Sequence, residues 1–305
     1  KSPFHTTAQM SVSVNTDALE AILDARNFDI LHFHEPWVPI LSRQILSRSK
    51  AKNIATFHAK LPDTIMSRTI ERVITPYTRS ILKYLDEFTA VSDAGAEYIR
   101  SLTTHEVQIV PNGVDLQNYA LTQHDGKPHV LYIGRLEKRK GVKYLLSAFA
   151  ELQKRLPNVQ LTLAGDGPDK EKLMELANNL RLQHVTFMGY VTDKQKHELL
   201  RKATVFCSPA LYGESFGIVL LEAMATGLPL VAGANAGYSS VMKEKGQLSL
   251  VNPKHTDEFA RKLQLLLTDT DIRNLWCSWA KDYVQQFSYP HIVDQYEAIY
   301  KSVLA

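Results

Sequence analysis

Cysteine is nearly absent: Cys207 and Cys277 are the only two in 305 residues. One falls in an expected strand and one in an expected helix, so neither a disulfide framework nor a thiolate metal site is indicated, and a reducing cytoplasm is the expected compartment. Long apolar runs are missing too, with nothing approaching the roughly 18 consecutive apolar residues of a membrane span. Charge of one sign is not in excess, since 35 Lys and Arg face 32 Asp and Glu for a net +3. That balance is too small to argue for a nucleic-acid partner. Internal repeats and low-complexity segments are not evident. What is present, 45% hydrophobic and 22% charged residues, describes a globular chain long enough for two domains of ordinary size.

The pattern alternates strand and helix. Strands are predicted at Ile30 to His34, Asn53 to His58, Phe88 to Ser92 and Val107 to Val110, with helices near Trp37 to Arg48, Thr64 to about Leu85, and from an N-cap at Asp93. The turn-rich Pro111-Asn112-Gly113-Val114-Asp115 closes this region. A polar connection at Thr122 to Lys127, containing Asp125-Gly126, precedes a second alternation that starts at His129 and ends in helices around Arg273 to Gln286 and His291 to Val303. Tyr289-Pro290 separates those last two helices. The economical architecture is α/β, two parallel-sheet domains with a cleft between them. Expected limits are 1–121, 122–287, and a terminal helix at 288–305 crossing back to the first domain. No strand-like run precedes Asp29, so the first domain is expected to be truncated.

The most informative stretch is Glu214-Ser215-Phe216-Gly217-Ile218, continuing through Glu222. Val205 to Pro209 reads as a buried strand and its loop, and Pro229 to Ala232 as the next strand, which makes one unit of a doubly wound sheet. Ligands bind beyond the carboxyl ends of such strands. A helix beginning near Ser215 points its free N–H groups and positive dipole end at a phosphate or pyrophosphate. Glu222 then lies about two turns inside. Like charges repel, so hydroxyl groups of a sugar or ribose are the natural partners of both carboxylates. The plainer alternative is a dipole-stabilising Glu and a solvated one.

Gly134-Arg135-Leu136-Glu137-Lys138-Arg139-Lys140-Gly141 sets four cations at another strand end, where Arg135 and Lys140 are candidate pyrophosphate ligands. Gly165-Asp166-Gly167-Pro168 is a tight turn without the third glycine of the dinucleotide fingerprint, which counts against an NAD enzyme. His32 and His34 share a strand face and His58 ends the neighbouring strand. His34 suits a sugar hydroxyl or phosphate, His32 a satisfied core position, and metal binding is disfavoured. Asp269-Thr270-Asp271 reads as a helix cap, not a metal clamp. Residues 36–85 carry Arg43, Arg48, Lys50, Lys52, Lys60, Arg68, Arg72, Arg79 and Lys83 against Asp63 and Glu71, a local excess of seven positive charges. Such a surface suits an anionic membrane, an anionic substrate, or plain solvation.

With these residues assembled, the chain resembles the retaining glycosyltransferases of family 4. The carriers are His34-Glu35-Pro36, Thr56-Phe57-His58, Val91-Ser92, Pro111 to Asp115, the Gly134-Arg135 to Lys140-Gly141 loop, and Glu214-Ser215-Phe216-Gly217 through Glu222. It is most similar to the GDP-mannose-dependent phosphatidylinositol mannosyltransferases. The resemblance implies the GT-B architecture, two Rossmann-like domains facing across a cleft, and transfer of a hexose, mannose, from a nucleotide-diphosphate sugar to a lipid or glycan acceptor. It implies that Arg135 and Lys140 hold the pyrophosphate, that Glu214 holds the transferred sugar with Ser215, Phe216, Gly217 and Ile218 at the helix start, that Glu222 takes the ribose, that Val191 and Lys196 lie near the base, and that His34 faces the sugar. No metal or other cofactor is implied beyond GDP-mannose as substrate, and the expected place is the cytoplasm, peripheral on the inner membrane face. The family's first strand and glycine-rich loop find no match before Asp29, so poor transfer with intact nucleotide binding is expected. A non-catalytic nucleotide-sugar-binding protein, or a nucleotide-sugar epimerase of the same architecture, are the alternatives.

Overall fold

The computed structural model describes residues 16–36, 40–60, 65–122 and 126–305. The expected helix starts at Trp37 and Thr64, and Asp125 of the polar connection, lie outside the described residues. Two compact units are formed, Lys1–Pro111 with Val293–Ala305, and Asn112–Ile292. The sequence pattern places these limits at 121 and 287 instead.

Among the described residues the first unit runs α1 (Thr16–Arg26), an element the sequence pattern does not announce, then β1 (Ile30–His34), α2 (Ile40–Leu46), β2 (Lys52–Phe57), α3 (Ile65–Leu82), β3 (Glu87–Ala90), α4 (Asp93–Arg100) and β4 (Val107–Ile109). All strand pairs are parallel, in the order β1-β2-β3-β4. β2 is buried at every position after Lys52, its apolar Ile54, Ala55 and Phe57 joined by Asn53 and Thr56, which bond to the Tyr84 carbonyl and the Thr89 hydroxyl. The cap of α4 is Ser92, not Asp93: its Oγ accepts from the Gly95 N–H at 3.0 Å. One position matters here because Ser92 has extended backbone angles, as a cap requires.

The second unit runs β5 (His129–Ile133), α5 (Val142–Arg155), β6 (Gln160–Ala164), α6 (Lys170–Asn179), β7 (Val185–Gly189), α7 (Asp193–Lys202), β8 (Val205–Ser208), α8 (Ile218–Ala225), β9 (Leu230–Gly233), α9 (Ala236–Val241), β10 (Leu250–Val251), α10 (Thr256–Thr268), α11 (Thr270–Tyr283) and the first turn of α12 (Tyr289–Leu304). Tyr289-Pro290 is thus the start of the last helix rather than a break before it. Proline is tolerated there because the first-turn N–H has no helical acceptor in any case. On α5, Val142, Leu145, Leu146, Phe149 and Leu152 repeat at helical spacing and are buried against the sheet. Asp269 caps α11, its side chain accepting from the Ile272 N–H at 3.0 Å.

Strand order is β10-β9-β8-β5-β6-β7, all parallel. The chain leaves β5 toward β6 and β7, then returns to the other side of β5 with β8. The switch point therefore lies between β5 and β8, which pair at Val130 with Val205 and Leu131 with Phe206. The cation loop leaves the end of β5, and the loop bearing Glu214 leaves the end of β8. Two of the sequence candidates thus flank the position where doubly wound sheets bind ligands.

A 3-10 turn at Lys138–Lys140 carries the cations, and Gly141 ends it in the left-handed region at φ 69°. A Cβ on Gly141 would stand 2.1 Å from the Pro209 carbonyl oxygen, so the two loops meet backbone to backbone. Gly126 is also left-handed, at φ 83°, with open space around it. Gly126→Ala is expected to cost about 1 kcal/mol, the left-handed penalty alone, and Gly141→Ala at least about 3 kcal/mol, because the loops must also separate. Urea denaturation of both variants measures the difference; equal losses would show that the close approach carries no weight.

Candidate active site

The loop after β5 is fixed at both ends. Leu136 is fully buried, the Leu136 N–H donates to the Asp166 carbonyl at 2.9 Å, and the Tyr132 hydroxyl donates to the Arg135 carbonyl at 2.8 Å. A 3-10 turn rotates about 120° per residue, so Lys138, Arg139 and Lys140 cannot share one direction. Lys138 is exposed, while Arg139 and Lys140 turn toward the loop after β8. Lys140 Nζ and Arg139 Nη1 each lie 2.7 Å from Glu214 Oε1. Arg139 also donates to the Gly213 carbonyl at 3.1 Å, and its Nε lies 2.7 Å from Glu137 Oε1. Glu137 is buried, and its Oε2 accepts no hydrogen bond among the described residues.

Lys140 and Glu214 are therefore brought together, and Arg135 is not part of that contact. Its side chain is 51% exposed, with Nε 3.7 Å from Glu137 Oε2. The second cation on Glu214 is Arg139, which composition and spacing do not single out among four neighbouring cations. Within the folded chain the partners of Glu214 are these cations, and a carboxylate only 12% exposed needs opposite charge or hydrogen bonds to offset its lost hydration.

The helix expected from Ser215 starts at Ile218. Gly217 is its N-cap at φ 115°, and a Cβ there would press to 2.7 Å on the Tyr238 ring. Phe216 is held in the core against Phe287 at 6.0 Å between ring centroids. Ser215 and Phe216 thus belong to the loop, and Glu222 sits about one turn inside α8 instead of two. Glu222 is 9% exposed. Its Oε1 accepts from Lys196 Nζ at 2.8 Å and from the Tyr119 hydroxyl at 3.0 Å. Lys196 follows the capping box of Thr192 and Gln195 on α7, one turn past Val191. Burial opposes the charge on Lys196, but the hydrogen bonds and charges of Glu222 and Asp193 outweigh it and the ammonium is held above its usual range. Burial, then the neighbouring Glu222, raises the Tyr119 phenol. Tyr119 went unforeseen, 103 residues away from its partner.

In the first unit, His34 ends β1 with its ring exposed, and its Nδ1 shares a hydrogen bond of 2.8 Å with His58 Nε2. His32 stacks on His34 at 4.7 Å between centroids. His32 is satisfied on both nitrogens, by Thr56 Oγ1 at 2.7 Å and the Tyr300 hydroxyl at 2.6 Å, and the Tyr296 hydroxyl lies 3.2 Å from the same Thr56 oxygen. Glu35 Oε1 accepts from the His58 and Ala59 N–H groups. Burial, then the neighbouring histidines, lowers His32 to about 4. Burial, then His34, lowers His58 to about 4, and burial lowers His34. Among the described residues, no group of three His, Cys, Asp or Glu is arranged to hold a metal ion.

The basic stretch is less free than its composition implies. Arg48, Lys50, Lys52 and Lys60 pair with Glu20, Asp24, Asp86 and Glu97, all from outside residues 36–85. Asp63 and the side chains of Arg68, Glu71 and Arg72 lie outside the described residues. No described helix is long and apolar enough to cross a membrane.

Two family models match, glycosyl transferases group 1 over residues 117–282 and glycosyltransferase family 4 over residues 9–118. A phosphatidyl-myo-inositol mannosyltransferase of Mycolicibacterium smegmatis is 33% identical over 283 residues, covering 91% of this chain and 72% of that protein. The chain is a family 4 glycosyltransferase. Among solved structures, a glycosyltransferase from Rickettsia africae aligns with TM-score 0.80 at 20% identity, covering 98% of this chain and 84% of that one. HepE of Anabaena, solved with UDP-glucose, aligns with TM-score 0.75 at 20% identity over 93% of this chain and 82% of that one. The fold class of this glycosyltransferase is GT-B, and it is an enzyme.

The histidine cluster gives the glycosyltransferase an acid-side stability limit. His32 and His58 titrate near 4 when folded and near about 6.5 when unfolded, so between those values the unfolded chain binds more protons. Their contribution is complete above the unfolded value and is lost as pH falls through this window. The unfolding temperature measured by calorimetry is expected to drop from pH 7 to pH 5, and to drop less steeply in His58→Gln. Parallel curves for the two proteins would remove His58 from this account.

Proposed function

We propose that this glycosyltransferase moves mannose from GDP-mannose to a lipid or glycan acceptor with retention of configuration at the anomeric carbon. The observation that carries the donor half is the Lys140 and Arg139 pairing with Glu214 at the β5/β8 switch point. Arg135, Lys138, Arg139 and Lys140 against Glu137 and Glu214 leave a local charge of +2. A nucleotide-diphosphate sugar carries about two negative charges on its diphosphate, which suits that excess. Mannose and the lipid acceptor rest on the name of the Mycolicibacterium smegmatis relative. UDP-glucose in the HepE structure supports a nucleotide-sugar donor in general, not its base.

In this reading Arg135 and Lys140 hold the pyrophosphate, with Arg139 beside them. The bond between the sugar C1 and the phosphate oxygen breaks, the acceptor oxygen bonds to C1 on the same face, and the acceptor proton passes to the departing phosphate. Cations already in place offset the negative charge that grows on that oxygen without reorganising, commonly the largest catalytic contribution in such chemistry. Freed from Lys140, Glu214 accepts from sugar hydroxyls next to the Phe216 and Gly217 backbone. Glu222 faces the ribose, Val191 and Lys196 the base, and His34 the sugar. No metal takes part in this scheme.

A thermal-shift screen of GDP, UDP and ADP sugars is expected to single out GDP-mannose, and Lys140→Ala to lower its turnover by about a hundredfold or more. Stabilisation by UDP or ADP sugars alone would sink the donor assignment. The basic composition of residues 36–85 adds support to a lipid acceptor and to a peripheral place at the inner membrane face. Binding to anionic vesicles is expected at low ionic strength and to weaken with salt; no binding at low salt would remove the membrane from the proposal.

A further inference from the structure

The carboxylate of Glu222 is held in an uneven way. Lys196 comes from α7 and Tyr119 from the segment before β5, yet both bond the same oxygen, Oε1, at 2.8 and 3.0 Å. No described residue bonds Oε2, and it is not among the buried atoms that lack a partner. An ammonium is a compact point charge with little directional preference, so Lys196 alone would let the carboxylate turn. A phenol hydroxyl on a rigid ring is directional and selects one orientation.

Tyr119 is itself held from several sides. Before it, the Val114 N–H donates to the Phe287 carbonyl at 2.8 Å and the Tyr289 N–H to the Val114 carbonyl at 3.2 Å. Asp115 caps the 3-10 turn Leu116–Asn118 by accepting from the Gln117 N–H at 3.1 Å, and Tyr119 ends that turn. After it, the Thr122 N–H donates to the carbonyl of Thr226, the C-cap of α8, at 2.9 Å. The ring rests on His197 of α7 at 4.8 Å between centroids. A short segment thus ties the far end of α8 to α7 and delivers one hydroxyl to the glutamate between them. The raised phenol stays protonated, and a donor, across the physiological range.

We propose that Tyr119 is a positioning residue that turns Glu222 so that Oε2 alone faces the ligand, making the site selective for a ribonucleotide with both vicinal hydroxyls over its dideoxy form. The proposal rests on the reading of Glu222 as the ribose-side carboxylate. An oxygen fixed in direction accepts from a cis-diol with little ordering left to do. A nucleotide lacking the diol covers that oxygen without supplying a donor in place of water, which is the costly case for a polar site.

The test is calorimetric titration of the full chain with GDP and 2′,3′-dideoxy-GDP, and with UDP and 2′,3′-dideoxy-UDP, in the wild type, Tyr119→Phe, Glu222→Gln and the double variant. The wild type is expected to favour the ribonucleotide by about tenfold or more, and Tyr119→Phe, which keeps the ring on His197, to reduce that ratio by about fivefold. Glu222→Gln should bring the ratio near one, with no further change on adding Tyr119→Phe. An unchanged ratio in Tyr119→Phe, including one accompanied by lost thermal stability, overturns the positioning role and leaves the donor reading standing. A wild type that binds without preferring either form overturns the ribose role of Glu222 and this proposal with it. No binding of any of the four nucleotides overturns the donor reading itself.

Discussion

Because β5 lies between β6 and β8, the chain leaves this strand in one direction and comes back to its other side, and a crevice must open at the carboxyl ends where the two paths part. Everything described in the second unit is arranged around that opening. The cation loop leaves β5 and the glutamate loop leaves β8. Their meeting is fixed by backbone contact at Gly141 and Pro209 before any side chain is considered. The salt bridges of Glu214 are a second layer on that frame, and Glu222 is carried in by the helix that follows.

Strands were the most legible part of the fold in the sequence. In a parallel sheet covered on both faces, central strands are apolar runs, as in β8, buried throughout from Val205 to Ser208, and the edge strand β1 has the bounds the sequence predicts, Ile30 to His34. Helix starts were less legible because they depend on single residues. Gly217 moved the start of α8 three residues on, for the sake of the Tyr238 ring that no local pattern reveals. The site followed the same division. Glu214, Glu222 and Lys140 could be named from position relative to strands and Lys196 from the family resemblance, while Arg139 and Tyr119 could not. Their partners are 75 and 103 residues away, and a side-chain bond across such a span leaves no trace in spacing. The reading of His32 as a satisfied histidine held, since both its nitrogens are bonded.

In the first unit the end of β1 is held by neutral polar contacts, whereas the loops after β5 and β8 in the second are joined by charge. Burial lowers His32, His34 and His58, with neighbouring histidines adding to it at His32 and His58, and neutral imidazoles offer both a donor and an acceptor. That dual capacity lets His32 join Thr56 of β2 to Tyr300 of the terminal helix, so the sheet and the last segment of the chain are stitched by one ring. Neutrality at His32 is therefore part of what holds the sheet to the terminal helix.

Glu214 gives the cation loop a resident counter-ion. In the proposed donor role, an arriving diphosphate meets Lys140 and Arg139 already engaged, so that binding is an exchange of one negative partner for another. Affinity is thereby held below what the cations alone would give. The same exchange runs backward when the anion departs, since the carboxylate is at hand to take its place and no stranded pair of positive charges opposes the departure. A site built this way favours turnover over retention of its product.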